Sequence, residues 1–383
     1  MTEILKPHSG AELAEMITGA GGPFEVLGTG TKRGSGRPVQ SARSLDLSGF
    51  SGVIVYEPEE LILEAGAGTR LSEIEALVDG RGQQLAFEPP DLSRLLGSAG
   101  SGTLGGVIAC NLSGPRRIKS GAARDHILGI CGVSGRGEIF KAGARVVKNV
   151  TGYDLPKLMT GSWGTLAALT AITLKVLPRP ETEETVVLEG LDDAEAVKAM
   201  SLAMQSSCEV SGAAHLPGEA TCLRLEGIAE SVAYRRDKLA RLLGRPVKVL
   251  AARSSSARWQ AIRDVLPLAD GRDRIVWRLS VTPSDASGIV AALKRHLDIR
   301  YYFDWAGGLV WLDIPLTDDA SAAVIRAALP AGHAMLVRAP GHVRAAVDVF
   351  QPQAPALAAL SARVKASFDP GHNLNPGRMY RGV

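Results

Sequence analysis

The spacing of apolar residues divides the chain into two textures. Up to about residue 180 the apolar runs are short and punctuated by glycine. GVIVYEP (Gly52 to Pro58) and LILEAGAG (Leu61 to Gly68) read as paired strands, and RLSEIEALVDGRG (Arg70 to Gly82) sets apolar residues at helical spacing. HILGICGV and EIFKAGARVV face each other across Ser134-Gly135-Arg136-Gly137, a hairpin signal, and LAALTAITLKVLP ends in Pro178 and Pro180, where the pattern changes. From Glu183 strand-like runs alternate with amphipathic ones: ETVVLEG, DAEAVKAMSLAMQSS, TCLRLEG, ESVAYRRDKLARLL, VKVLA, then RIVWRLSV, SDASGIVAALKRHL, LVWLDIP, DDASAAVIRAAL and AMLVRA. That alternation predicts a second unit of α+β or α/β type. A last helix, APALAALSARVKASF, runs into DPGHNLNPGRMY, which is too rich in glycine and proline to continue it. The expected division is residues 1–180, 181–342 and a closing 343–383.

Composition narrows the class. With 383 residues, 45% of them apolar and 22% charged, the chain can bury a large core in roughly two or three domains, which excludes disordered and fibrous classes. A formal charge of +3, with no Lys/Arg cluster interleaved with aromatics, speaks against a nucleic-acid partner. The opening MTEILKPHSGAELAEMI lacks the cationic start, apolar stretch and cleavage site of a secretory signal, and no run has the length of a transmembrane span, so a cytoplasmic protein is expected. The four cysteines, Cys110, Cys131, Cys208 and Cys222, lie far apart without C-x-x-C. The seven histidines show no H-x-x-x-H spacing. Neither a disulfide framework nor a metal site is expected, and redox chemistry would need an organic cofactor.

Two glycine-rich stretches carry the candidate chemistry. VLGTGTKRGSG (Val26 to Gly36) follows an apolar run, offers backbone amides with little side chain in the way, and adds Lys32 and Arg33, a combination suited to a phosphate. It is not a dinucleotide fingerprint, because Arg33 stands where the third glycine belongs and GSGRPV cannot open a helix; nor is it a P-loop, because Lys32 follows a threonine. The second stretch, Phe87 to Ile130, holds Gly100, Gly102, Gly105, Gly106 and Gly114, with Arg116, Arg117, Lys119 and Arg124 behind them. Two separate loops suit a long, bent ligand.

The order of these motifs resembles the FAD-linked oxidases of the vanillyl-alcohol oxidase type, the PCMH-type flavin fold. The family's glycine loop is matched by Gly28 to Arg33, and its P-x-x-S…T-x-G-G…N-x-x-G segment by Pro90 to Ser93, Thr103 to Gly106, Asn111 and Gly114. Its GSEGTLGIIT strand start is similar to Gly161 to Thr170, and its closing DPxGxLNPGK to Asp369 to Arg378. Within the family, KNVTGYDLPKLMTGSWGTLA (Lys148 to Ala167), GTLGGVIACNLSGPRR and FDPGHNLNPGRMY resemble the FAD-binding subunits of bacterial glycolate oxidases.

The resemblance implies an α+β fold: a PCMH-type FAD-binding domain of two α+β subdomains over residues 1–180, and a smaller α/β cap of antiparallel sheet plus helices over 181–342. The helix and tail 343–383 would return to the first domain. It implies FAD contacts at Gly28, Thr29, Gly30, Thr31, Lys32, Arg33, Pro90, Gly102, Thr103, Leu104, Gly105, Gly106, Ala109, Asn111, Gly114, Arg124, Asp125, Gly152, Tyr153, Asp154, Gly164, Leu169, Asn375 and Arg378. It also implies oxidation of glycolate, a small 2-hydroxy acid, beside a larger flavin-bearing subunit and an iron-sulfur subunit, with attachment at the inner face of the plasma membrane only through partners. A stand-alone FAD-dependent 2-hydroxy-acid oxidoreductase and a non-catalytic assembly subunit are the alternatives.

Departures sharpen the expectation. Thr29 stands where relatives often carry glycine and Lys32 where they often carry serine, so a cation replaces one backbone approach to the pyrophosphate. The first loop has no His or Cys for a flavin tether, and Cys110 reads as a small buried apolar residue, so noncovalent FAD is expected. For a carboxylate-binding cation and a base, the candidates are Arg338, His342 and His372; His126 reads as a turn histidine and Trp305 as core or a subunit contact. The H-x-G-D-G-N segment of related lactate dehydrogenases has no counterpart between Glu183 and Ala339, so the isolated chain is expected to oxidise glycolate poorly.

Overall fold

The paired strands predicted from alternating apolar runs form a five-stranded antiparallel sheet in the order Val53–Glu57, Ile62–Gly66, Ala167–Lys175, Ile127–Ser134, Ile139–Gly143. The computed structural model describes residues 3–19, 21–143, 152–271 and 273–383. Helix Leu71–Asp79 turns Leu71, Ile74 and Val78 into the core against this sheet, as its period of 3.6 requires. A smaller, parallel sheet, with Arg43–Asp46 between Glu3–Leu5 and Phe24–Leu27, packs with helix Gly10–Gly19 around Leu13, Ile17, Phe24 and Leu45.

Residues 182–338 build an eight-stranded sheet in the order Lys248–Leu250, Thr182–Leu188, Ala220–Gly227, Gly212–Leu216, Arg300–Asp304, Leu309–Pro315, Arg274–Ser280, His333–Arg338. Helices alternate with strands along the sequence, yet the strand pairs are antiparallel. Side-chain alternation gives the sheet two buried faces. Ile275, Trp277, Leu279, Val310, Leu312 and Ile314 lie under helices Asp193–Gln205 and Ala286–Lys294. On the other face Val276, Leu309, Trp311 and Val337 pack with Trp259 of helix Ala252–Arg263 and with Leu92 and Leu95 of the first half.

A buried charge exchange joins the halves on that second face. Arg224 donates to both carboxylate oxygens of Glu88, at 2.9 and 3.0 Å, while Arg116 donates to Glu226 at 2.7 Å and stands 3.4 Å from Glu88. Burial alone would raise the Glu88 carboxyl, but the guanidiniums of Arg224 and Arg116 outweigh it and hold it at about 2. The four side chains pair across the halves, so each half neutralises charge the other buries.

The closing segment threads back into the start of the chain. Helix Pro355–Phe368 delivers Lys365, whose buried ammonium donates to Asp369 (2.6 Å), Thr165 O (2.6 Å) and Leu374 O (2.9 Å). Phe24 N donates to Asn373 O and Asn375 N to Phe24 O, and the Asn375 side chain clamps Val26 N and Trp163 O, each at 2.8 Å. Among the described residues no helix is long and apolar enough to cross a membrane.

Candidate functional site

The first glycine loop leaves strand Phe24–Leu27 and turns at once. Gly30, at φ +74°, accepts from Arg33 N at 3.1 Å, and Lys32 O accepts from Ser35 N at 3.0 Å. The second stretch meets it directly: Thr29 Oγ1 donates to Ser101 O at 2.9 Å, and a Cβ on Gly28 would stand 2.6 Å from Thr103 Oγ1. Thr103 caps the short helix Leu104–Ala109 by accepting from Gly106 N. Within it, Gly105 faces the Ala67 carbonyl, while Gly106 faces the space between the loops.

That space is a half-open cleft of about 110 Å³, lined by both glycine loops and by the closing segment. Of its three cations, Arg33 is paired with Glu25, whereas Lys32 and Arg378 form no ion pair among the described residues. Among the described residues Lys32 Nζ donates to Thr31 Oγ1 at 3.4 Å and forms no ion pair; burial pushes its ammonium down, only partly offset by Cys110 and Asp91. Arg378 donates to Lys32 O and Arg37 O, and burial lowers it as well. The Cys110 thiol is pushed up by burial despite Lys32 and Arg378, so it stays protonated. Two desolvated cations beside glycine backbone, neither of them in an ion pair among the described residues, fit the pyrophosphate of a dinucleotide.

A second cavity of about 60 Å³ adjoins the cleft, sharing Lys32, Cys110 and Trp163 with it, and reaches the eight-stranded sheet at Arg278, Trp311, Met335 and Val337. A third of about 260 Å³ lies beside it along Pro89 to Ser93 and Ser101.

The structure brings most of the expected cofactor residues together. Gly28 to Arg33, Thr103, Gly105, Gly106, Ala109, Gly164, Leu169, Asn375 and Arg378 line the cleft; Pro90 and Asn111 line the second cavity, and Pro90 and Gly102 the third. Others lie elsewhere. Leu104 is core. Gly114 sits at the junction of the halves, its carbonyl accepting from Trp305 Nε1 at 3.0 Å. Arg124 is exposed, and Asp125 accepts from Ala122 N as a helix cap. Asp154 caps helix Leu155–Met159; Gly152 and Tyr153, the latter 91% exposed, precede it away from the cleft. Lys148 to Thr151 lie outside the described residues.

The three proposed catalytic side chains are not gathered at the cleft. Arg338 is buried with its guanidinium on the carbonyls of Leu95, Ala269, Gly271 and Arg274, a strut between the sheet and its loops rather than a cation open to substrate. His342 is on the surface near Asp318, and His372 is exposed in a tight turn at φ +50°. His126 is buried with Nε2 on Ser120 O at 2.8 Å, and Trp305 is core. Among the described residues no group of three His, Cys, Asp or Glu is placed to hold a metal. Sequence reasoning missed Trp163 and Arg278. The signal for Arg278 was a lone cation in the middle of the apolar strand RIVWRLSV.

Comparison with known proteins agrees with the geometry. The family model for an FAD binding domain matches residues 3–143. The chain is 34% identical over 358 residues to glycolate oxidase subunit GlcE of Escherichia coli K12, covering 94% of this chain and 93% of that protein. It is 30% identical to glycolate oxidase subunit GlcD of Bacillus subtilis, over 50% of this chain and 40% of that one. In three dimensions it is similar to substrate-bound p-cresol methylhydroxylase, with a TM-score of 0.74 over 98% of this chain and 88% of the other; at 15% identity that likeness concerns the fold.

Proposed function

The chain belongs to the family of FAD-binding oxidoreductase subunits that includes GlcE, and from that premise we propose that it is the FAD-binding subunit of a multi-subunit glycolate oxidase, converting glycolate to glyoxylate with electron transfer to an acceptor. The observation that carries this reading is the cleft, where two unpaired cations and two glycine loops converge in a chain related to GlcE over nearly its whole length. Bound FAD would supply the hydride and electron acceptor. The chain's own residues hold it: Lys32 and Arg378 neutralise the pyrophosphate, and Gly28 and Gly106 let backbone come close. Residues 1–180 form the FAD-binding unit, 181–342 the cap, and 343–383 the return that completes the cleft.

The flavin is held without a covalent bond. The first loop has no His or Cys, and Cys110 is a protonated thiol. Acid precipitation of the purified protein is expected to leave a yellow supernatant; flavin retained in the pellet would make Cys110 the attachment point.

This subunit works inside a complex, with a larger flavin subunit and an iron-sulfur subunit as its partners. Among the described residues no histidine lines the cleft or the second cavity, and the cap's buried His215 bonds Thr221 Oγ1 at 2.8 Å. Without an evident base for the hydroxyl proton, the isolated FAD-loaded chain should turn over glycolate slowly. Dye-coupled oxidation by the lone chain is expected to fall at least ~100-fold below that of the reconstituted complex, the usual range for a missing acid-base group. Equal rates would sink the accessory role.

A further inference from the structure

We propose that Arg278 anchors the carboxylate of a small 2-hydroxy or 2-oxo acid in the cavity between the cofactor cleft and the eight-stranded sheet. The inference rests on the FAD reading above and gives this subunit an anion site of its own.

Arg278 stands in the middle of strand Arg274–Ser280, opposite Trp311 on one side and Met335 on the other, on the face turned toward the first half. The other arginines buried here have partners: Arg224 is held by Glu88, Arg116 by Glu226, and Arg338 and Arg344 by backbone carbonyls. Arg278 forms no hydrogen bond or ion pair among the described residues. Its contact is the Trp305 ring, 5.1 Å from the guanidinium carbon, and a second cation, Arg117, sits over the same ring at 4.3 Å. Burial and Arg117 together depress the guanidinium to about 10, with Asp304 and Tyr302 offsetting only part, so it remains charged at neutral pH. Asp304 spends one oxygen on Trp305 N at 2.7 Å and does not reach Arg278 as an ion pair.

A desolvated cation with five free donors is costly unless an anion meets it. The cavity supplies the place. Its walls are largely apolar, Trp163, Trp311, Met335 and Val337, and its other cation, Lys32, also borders the cofactor cleft. A planar guanidinium matches a carboxylate with two parallel hydrogen bonds, a pairing the rounder Lys ammonium cannot make. The modest volume, partly open to the cleft, favours a small acid.

The test uses the FAD-loaded chain and oxalate, a redox-inert dicarboxylate, followed by perturbation of the flavin spectrum and by calorimetry. Wild-type protein is expected to bind oxalate saturably. Arg278→Gln should weaken binding roughly 10- to 100-fold, the worth of a charged hydrogen-bonded pair, and Arg278→Lys should recover part of it. Arg253→Gln, an exposed arginine on helix Ala252–Arg263, should bind as wild type does. Arg278→Gln should also keep its FAD content and an equal or higher Tm, because it removes a half-buried cation with no ion-pair partner among the described residues; a structural arginine would give a lower Tm. Unchanged oxalate affinity in Arg278→Gln, or a loaded wild type with no response to oxalate, would overturn the assignment. So would a variant that loses only its association with partner subunits, since the cation would then serve a protein carboxylate. A chain that takes up no FAD fails visibly before any anion is added, which defeats the cofactor reading and this inference with it.

Discussion

Gly106→Val is expected to purify folded and colourless. A Cβ at Gly106 would lie 3.3 Å from Lys32 Nζ and from Thr103 Oγ1, the first a flexible chain end that can step aside, so the fold tolerates the substitution. The valine methyls then occupy cleft volume needed by the cofactor, and FAD affinity should fall roughly 100-fold, the upper range for overpacking a close-fitting site. Its neighbour supplies the contrast. A Cβ at Gly105 would meet the Ala67 carbonyl at 2.9 Å, backbone at the end of a core strand that has nowhere to go, so Gly105→Val should lose stability before it loses ligand. Flavin absorbance per chain and far-UV circular dichroism separate the two outcomes. Normal flavin content in Gly106→Val would remove the second loop from the cofactor's path.

Glu88→Gln should be among the most destabilising single changes in the chain, costing about 3–5 kcal/mol, because it leaves the fully buried Arg224 without its bidentate partner. Glu88 also holds a left-handed backbone conformation at φ +53° and accepts from Arg116 N at 2.9 Å, so the loop between the halves loses a pin as well. The pH dependence has a definite sign. The carboxyl sits at about 2 in the folded chain against 4.5 unfolded, so its stabilisation is complete above about 4.5 and is lost as pH falls toward 2. Urea unfolding across that window should show wild-type stability dropping by about 3 kcal/mol more than that of Glu88→Gln. A single variant within 1 kcal/mol of wild type would show that the exchange contributes little.

The glycine loops were legible because the chemistry they serve is backbone chemistry: where Gly28 or Gly106 must admit a close neighbour, no other residue will do, and the sequence displays it. The strands were legible where apolar and polar residues alternate, as in LVWLDIP. Strand Gly212–Leu216 was not, because GAAHL is buried at all five positions and has no β-branched residue to mark it. Helix Ala252–Arg263 hid for a related reason: it turns Ser255, Trp259 and Ile262 inward, and a buried serine bonded to Thr185 breaks the apolar stripe that a helix normally shows. The candidate acids and bases failed differently. Arg338 and Arg278 lie on neighbouring strands of one sheet, and only the surroundings show that the first is saturated by four carbonyls while the second, among the described residues, rests on the Trp305 ring without a hydrogen-bond or ion-pair partner. The cross-paired Glu88, Arg116, Arg224 and Glu226 span 139 positions of sequence, from 88 to 226, and no local pattern announces such pairs.

The return of residues 373–378 to the first strands fixes the order in which the protein can mature. Asn375 and Arg378 wall the cleft that Gly28 to Arg33 begin, so the cradle opened by the first loop is closed only by residues that lie 346 to 349 positions further along the chain. A nascent chain emerging from the ribosome can fold its sheets long before it can grip a flavin. Cofactor capture therefore waits until residues 373–378 have been made and have folded back onto the first loop.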